Sequence, residues 1–180
     1  SFVATKIAVE YVNPFELLAI RYIFGLPILL VILFAKKIKL QFEKRDKIAI
    51  LLGSAILTIH FLIQITGLKY TSATNTGWII SISPLVLAVL AFLILKEKIS
   101  RYQIIGIVIA TIGIFLLVSK GNLSNFSWLN STGDWLVLGS AHTWAFYAVA
   151  TRYVSQRCNP LAVTVGVLAP SAVLVLLYVS

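Results

Sequence analysis

Polar and aromatic residues recur at helical spacing inside stretches that are otherwise apolar. His60 and Gln64 stand four residues apart, so both fall on one face of a helix. Such a pair can bind the carbonyl or amide groups of a solute, or it can join two helices by a hydrogen bond. Asn75, Trp78 and Ser81 follow at a spacing of three. That stripe suits a wet cavity for small amphipathic solutes, or the close packing of small residues. His142, Trp144 and Tyr147 form a third group. His142 can exchange a proton near neutral pH or serve as a satisfied interface group. Trp144 and Tyr147 read as cavity walls or as interfacial anchors. These eight residues are the candidate substrate pathway. Arg21, Lys6 and Arg152 are candidates for a gate or a mouth, with snorkelling to the membrane surface as the plainer reading. Pro84 is a candidate hinge, since proline frees backbone carbonyls inside a helix.

The remaining chemistry is sparse. No Asp or Glu falls at the centre of an apolar stretch, so a carboxylate proton relay has no support. No acid pair, His-Glu-x-x-His, Gly-x-Ser-x-Gly or phosphate-binding glycine loop occurs. No catalytic residue, metal ligand or cofactor site is therefore expected. Cys158 is the single cysteine, which excludes an internal disulfide and most metal sites.

Composition identifies what positions these residues. Of 180 residues, 59% are hydrophobic and 12% charged, and the mean hydropathy is +0.97. Soluble domains carry roughly 25% charged residues. Residues 48–68, 70–95 and 158–180 contain no Asp, Glu, Lys or Arg, and about 20 apolar residues suffice to cross a bilayer. Spans are expected at about Phe15–Ala35, Ile48–Gly67, Ser72–Leu95, Arg101–Ser119, Asp134–Thr151 and from Leu161 onward, after a stub at Ser1–Val9. The chain lacks methionine and begins and ends inside apolar patterns, which predicts a piece of a longer protein.

The net charge of +9 requires no nucleic-acid partner. Eleven of the fifteen basic residues lie in 36–47, 96–101 and 152–157, which are alternate loops; Lys6, Arg21, Lys69 and Lys120 are the other four. The positive-inside rule places the eleven in the cytoplasm. Loop 120–133 then lies outside. It carries sequons at Asn122, Asn125 and Asn130, and Trp128 and Trp135 read as anchors beside it. Asn13-Pro14-Phe15-Glu16 and Ser100-Arg101-Tyr102-Gln103 read as capped helix starts, so Glu16 is first a cap. Gly106, Ala110 and Gly113 give one helix a small-residue face, expected to pack within the chain.

A short internal repeat organises the spans. Val3-Ala4-Thr5-Lys6 with Asn13-Pro14-Phe15 returns as Val149-Ala150-Thr151-Arg152 with Asn159-Pro160-Leu161, always 146 residues later. Five spans separate the copies, so the second copy is inverted. Inverted repeats are a mark of secondary transporters.

The stretch Gly67 to Trp78 (GLKYTSATNTGW), with Ser83-Pro84-Leu85, Leu95-Lys96-Glu97-Lys98 and the run Ser140 to Tyr147 (SAHTWAFY) leading to Arg152, resembles the EamA-type transporters of the drug/metabolite transporter superfamily. The resemblance covers the whole chain. It implies an all-α membrane protein of ten helices in two inverted five-helix repeats. This chain would hold the end of helix 1, helices 2–6 and most of helix 7. Residues 1–119 would be the first repeat, 120–133 the outer loop and 134–180 the start of the second repeat. It implies a secondary transporter, often an exporter, of small metabolites such as amino acids in a bacterial or archaeal cytoplasmic membrane. It also implies an acidic residue at Glu97, which reads plainly as a loop salt bridge. The alternatives are a membrane-embedded enzyme on lipid or prenyl substrates, for which His60 and His142 are the candidates, and a non-transporting membrane interaction protein.

Overall fold

The computed structural model describes residues 2–96, 100–118 and 129–179. Glu97, Lys98, Asn122, Asn125 and Trp128 lie outside the described residues. The described chain forms α1 (Phe2–Tyr11), α2 (Pro14–Ala35), α3 (Lys44–Lys69), α4 (Ala73–Ile80), α5 (Ser83–Leu95), α6 (Arg101–Val118), α7 (Thr132–Arg157) and α8 (Pro160–Val179). No strand occurs among these residues. Four units are long and apolar enough to cross a membrane: α2, α3, the α4–α5 pair taken together and α8. Large side chains on their outer faces, such as Phe24, Val31 and Phe34 of α2, are exposed. Water would penalise that surface and a bilayer does not. The chain is a multi-pass, all-α membrane protein.

Local chemistry fixes the helix starts. The Asn13 Oδ1 accepts from the Phe15 amide at 3.1 Å, and the Asn13 amide donates to Glu16 Oε2 at 3.2 Å. The Leu161 amide donates to Asn159 Oδ1 at 3.0 Å, so the repeated Asn-Pro starts α8 as it starts α2. Before α6, the Ser100 amide donates to Gln103 Oε1 (2.7 Å) and the Gln103 amide to Ser100 Oγ (3.2 Å).

The two repeat-bearing helices run antiparallel against each other. Phe15 stacks on Tyr178 with ring centroids 4.2 Å apart. Seven residues further along α2, the Tyr22 hydroxyl meets Ser171 Oγ at 2.5 Å, seven residues back along α8. Thr58 of α3 completes this buried hydroxyl set, 2.6 Å from Ser171 Oγ.

The most extensive helix pair is α3 with α7. Asp46, Gly53, His60 and Gly67 recur every seven residues and so share one stripe of α3. Their partners run backwards along α7: Arg157 binds Asp46 at 2.6 Å, a Cβ on Gly53 would lie 2.7 Å from Thr151 Cγ2, His60 meets Ser140, and Gly67 faces Gly133. A Cβ on Gly67 would lie 3.0 Å from the Gly133 carbonyl oxygen, and one on Gly133 would lie 2.5 Å from that of Gly67. The backbones meet because both side chains are hydrogen.

One expectation is refined and one corrected. The expected span from Ser72 to Leu95 is one unit long and apolar enough to cross a membrane, but its helix is interrupted at Ser81 and Ile82. The amides there bond three residues back, Ser81 to Trp78 (3.1 Å) and Ile82 to Ile79 (3.2 Å). Pro84 has no N–H, so the Ile80 carbonyl loses the donor a continuous helix would supply. The small-residue face of α6 does not pack on the described chain. A Cβ at Gly106 or Gly113 would meet nothing within 4 Å, and the contacts of α6 with α4 and α5 are sparse.

Gly133→Ala should lower stability by about 1–3 kcal/mol, because its methyl group meets backbone that cannot yield. Gly139→Ala, where only Ile63 Cγ2 comes as near as 4.0 Å, should leave the thermal midpoint in detergent unchanged. Equal midpoints for the two variants would contradict the close approach of α3 and α7.

Candidate functional site

The site is built where the interrupted helix faces the α3–α7 pair. His60 is 4% exposed. Its Nδ1 donates to the Ser140 carbonyl at 2.8 Å, so in the neutral ring Nε2 is the acceptor. Ser140 belongs to α7, so the bond ties ring orientation to the main packing seam. The Trp144 ring lies 5.2 Å from the His60 ring, and Tyr147 lies 5.4 Å beyond Trp144. Gln64 Nε2 stands 3.5 Å from His60 Nε2, one helical turn away.

His60, Gln64 and Trp144 face an open cleft of about 460 Å³. His60, Phe61 and Gln64 of α3 form one wall, Ala141 and Trp144 of α7 a second, and Gly77, Ile80, Ser81, Ser83 and Pro84 the third. The third wall is the helix break itself. Its Ser81 hydroxyl returns to the Gly77 carbonyl at 2.9 Å. The surface is apolar apart from a few hydroxyl, amide, imidazole and indole groups. That combination encloses a small organic solute by its hydrophobic body and orients it by a few polar contacts.

The structure thus brings together His60, Gln64, Ser81, Pro84 and Trp144. Tyr147 stands behind Trp144 and packs over Gly53. Trp78 is half-buried on α4 and does not line this cleft. His142 is exposed, with Nδ1 donating to the Leu138 carbonyl of its own helix at 2.9 Å. Asn75 is engaged elsewhere: its amide nitrogen donates to Asp134 Oδ1 at 2.5 Å.

Arg21, Lys6 and Arg152 occupy three different settings. The Arg21 guanidinium donates to Thr5 Oγ1 at 2.8 Å. It borders a smaller chamber of about 150 Å³ with Phe2, Thr5, Gln64, Ile65 and Leu68. The Lys6 ammonium donates to the carbonyls of Leu68 (3.0 Å) and Lys69 (2.9 Å). Those are orphan acceptors at the end of α3, so Lys6 caps that helix and complements its dipole. Arg152, its counterpart in the repeat, is half-buried near the end of α7.

Three groups escaped the sequence reading. Asp134 accepts from Thr71 and Asn75 side chains and from the Asn130 and Ser131 amides. It clamps the α3–α4 turn to the start of α7. Ser131-Thr132-Gly133-Asp134 has the capping-box spacing, which was a usable signal for the cap but not for its partners across the fold. Asp46 is buried, bonds Arg157 and is one of two acids in the basic run 36–47, the other being the exposed Glu43. Asp46 and Asp134 both lie in the first turns of their helices, so an inspection of span centres passes over them. The third group is the hydroxyl set Tyr22, Thr58 and Ser171.

Comparison with known proteins agrees with this architecture. Residues 1–119 match the EamA-like transporter family. The chain is 30% identical over 176 residues to the uncharacterized transporter YyaM of Bacillus subtilis (strain 168), covering 96% of this chain and 58% of that protein. It is 30% identical over 151 residues to an uncharacterized transporter of Archaeoglobus fulgidus, covering 83% and 51%. It is 26% identical over 167 residues to the uncharacterized transporter YetK of Bacillus subtilis (strain 168), covering 91% and 51%. The chain thus spans between half and three fifths of the length of these relatives.

Asn75→Ala and Asp134→Ala should each lower stability and with it the thermal midpoint, Asp134→Ala by about 2–3 kcal/mol because two side chains and two backbone amides lose a shared acceptor. The double variant should fall little below Asp134→Ala alone, as expected for one network. Additive losses would show that Asn75 acts apart from Asp134. With an all-α membrane fold, a helix break over a polar-lined cleft and a match over residues 1–119, the chain belongs to the EamA-like transporter family.

Proposed function

We propose that the chain is part of a secondary transporter that carries small organic solutes such as amino acids, outward, across a bacterial or archaeal cytoplasmic membrane. The observation that carries this reading is the interrupted helix α4–α5, whose break lines the 460 Å³ cleft opposite His60, Gln64 and Trp144. Interrupted helices near mid-membrane are where transporters of this kind place their sites, because freed backbone groups can meet the solute. The Ile80 carbonyl, deprived of a donor by Pro84, is such a group. Gln64 and the Nε2 of His60 supply a neutral donor and acceptor, and Trp144 a flat apolar wall.

Alternating access then consists of rocking one half against an inverted second half. The antiparallel contact of α2 with α8 supports that symmetry, as do the matching Asn-Pro starts of both helices. The distribution of basic residues supports a cytoplasmic location for loops 36–47, 96–101 and 152–157. Catalysis on a lipid would need His60 and His142 to act on one substrate. The first is spent on Ser140 at one nitrogen and the second is exposed on another part of α7, so no observation favours an enzyme.

Full-length protein carrying this chain, reconstituted in liposomes, should move members of an amino-acid and metabolite panel. Gln64→Ala and Trp144→Ala should cut the transport rate up to about tenfold, the worth of one polar contact, with the thermal midpoint retained. His142→Ala should transport normally. A wild-type protein that moves nothing in either direction contradicts the reading, as does parallel loss of stability and rate in the Gln64 variant.

A further inference from the structure

The smaller chamber beside the cleft has a different chemistry. Its walls are Phe2 and Thr5 of α1, Arg21 of α2, and Gln64, Ile65 and Leu68 of α3. Three of the six are apolar, none is acidic, and one is a permanent cation. The Arg21 guanidinium has five N–H donors. One end is fixed by Thr5 Oγ1 at 2.8 Å, and Thr5 is itself buried. Arg21 has no acidic partner among the described residues. The nearest acid along α2, Glu16, is taken by the Asn13 amide. A second cation stands close: the Lys6 ammonium rests on the carbonyl of Leu68, a wall residue, and so cancels the negative end of α3 that would otherwise repel an anion.

Gln64 belongs to both the chamber and the cleft. It therefore stands between a cation-headed compartment of about 150 Å³ and a mostly apolar one of about 460 Å³. A solute with a planar anion at one end and an apolar body at the other matches that pair of spaces. A carboxylate accepts two parallel N–H bonds from one guanidinium, a geometry that a lysine cannot reproduce.

We infer that this chamber is a carboxylate seat, in which Arg21 determines specificity and Gln64 is the partition through which the bound anion reaches the cleft. The inference rests on the transport reading and narrows it to solutes bearing a carboxylate. Arg21 meets the anion directly; Thr5 and Lys6 are positioning residues.

The test uses full-length protein in liposomes with and without phosphatidylglycerol. The probes are three matched pairs: L-leucine with L-leucinamide, L-phenylalanine with L-phenylalaninamide, and benzoate with benzamide. Wild type should move the acids at least about tenfold faster than their amides, the discrimination expected of a charge-assisted pair. Arg21→Gln should abolish that preference while retaining amide transport, and Arg21→Lys should restore part of it. Equal loss for acids and amides in Arg21→Gln would overturn the inference and make Arg21 structural. A wild-type preference for amides would overturn it directly, without any variant. So would an Arg21→Gln protein that keeps its acid preference and differs only in its response to phosphatidylglycerol, since Arg21 would then bind lipid phosphate. If wild type moves none of the six probes but other solutes cross, the carboxylate seat fails and the transport reading stands.

Discussion

The close antiparallel approach of α3 and α7 is the contact on which the rest of this structure depends. In lipid, apolar side chains gain little by leaving their surroundings, so helices associate through backbone proximity and interhelical hydrogen bonds. Gly67 against Gly133 supplies the proximity, with backbone where side chains would otherwise stand. Asp46 with Arg157 closes one end of the pair and Asp134 with Thr71 and Asn75 the other. Between them, the Ser140 carbonyl holds the His60 ring at the cleft wall. A slip of one residue along this seam would break the bond between His60 Nδ1 and the Ser140 carbonyl.

That seam also explains why α7 is the least apolar of the long helices. It bears Asp134, Ser140, Thr143 and Thr151 and is not among the units apolar enough to cross a membrane by composition. Neighbours α3, α5, α4 and α8 cover it instead. A helix shielded by protein can carry more polar groups than a lipid-facing face such as that of Phe24, Val31 and Phe34 on α2. Polar content therefore accumulates where the site is, and the outward faces of α2 and α8 stay largely hydrophobic.

How much of this was legible in the residues depends on range. Helix starts are local, and Asn13-Pro14 and Ser100 with Gln103 announced theirs. The one-turn spacing of His60 and Gln64 was enough to place both on one face, and Pro84 was enough to mark a weak point in its helix. Asn75 shows where local reading stops. Its spacing from Trp78 suggested a shared stripe, but the side chain turns to Asp134, 59 residues away. Nothing in a linear pattern distinguishes a polar group aimed at a cavity from one aimed at a distant carboxylate. The helix break also changes the register of the stripe, so Ser81 reaches the cleft while Trp78 does not.

In the proposed function, a solute occupies the space between the helix break and the α3–α7 pair. Thiol labelling at Ser81 tests it most directly. With Cys158 and any cysteine outside these 180 residues replaced by alanine, Ser81→Cys in full-length protein should react with a charged, membrane-impermeant maleimide. A transported solute should slow that reaction in proportion to its occupancy. A thiol at position 81 that the reagent cannot reach, or that reacts at the same rate with saturating solute, would contradict the account.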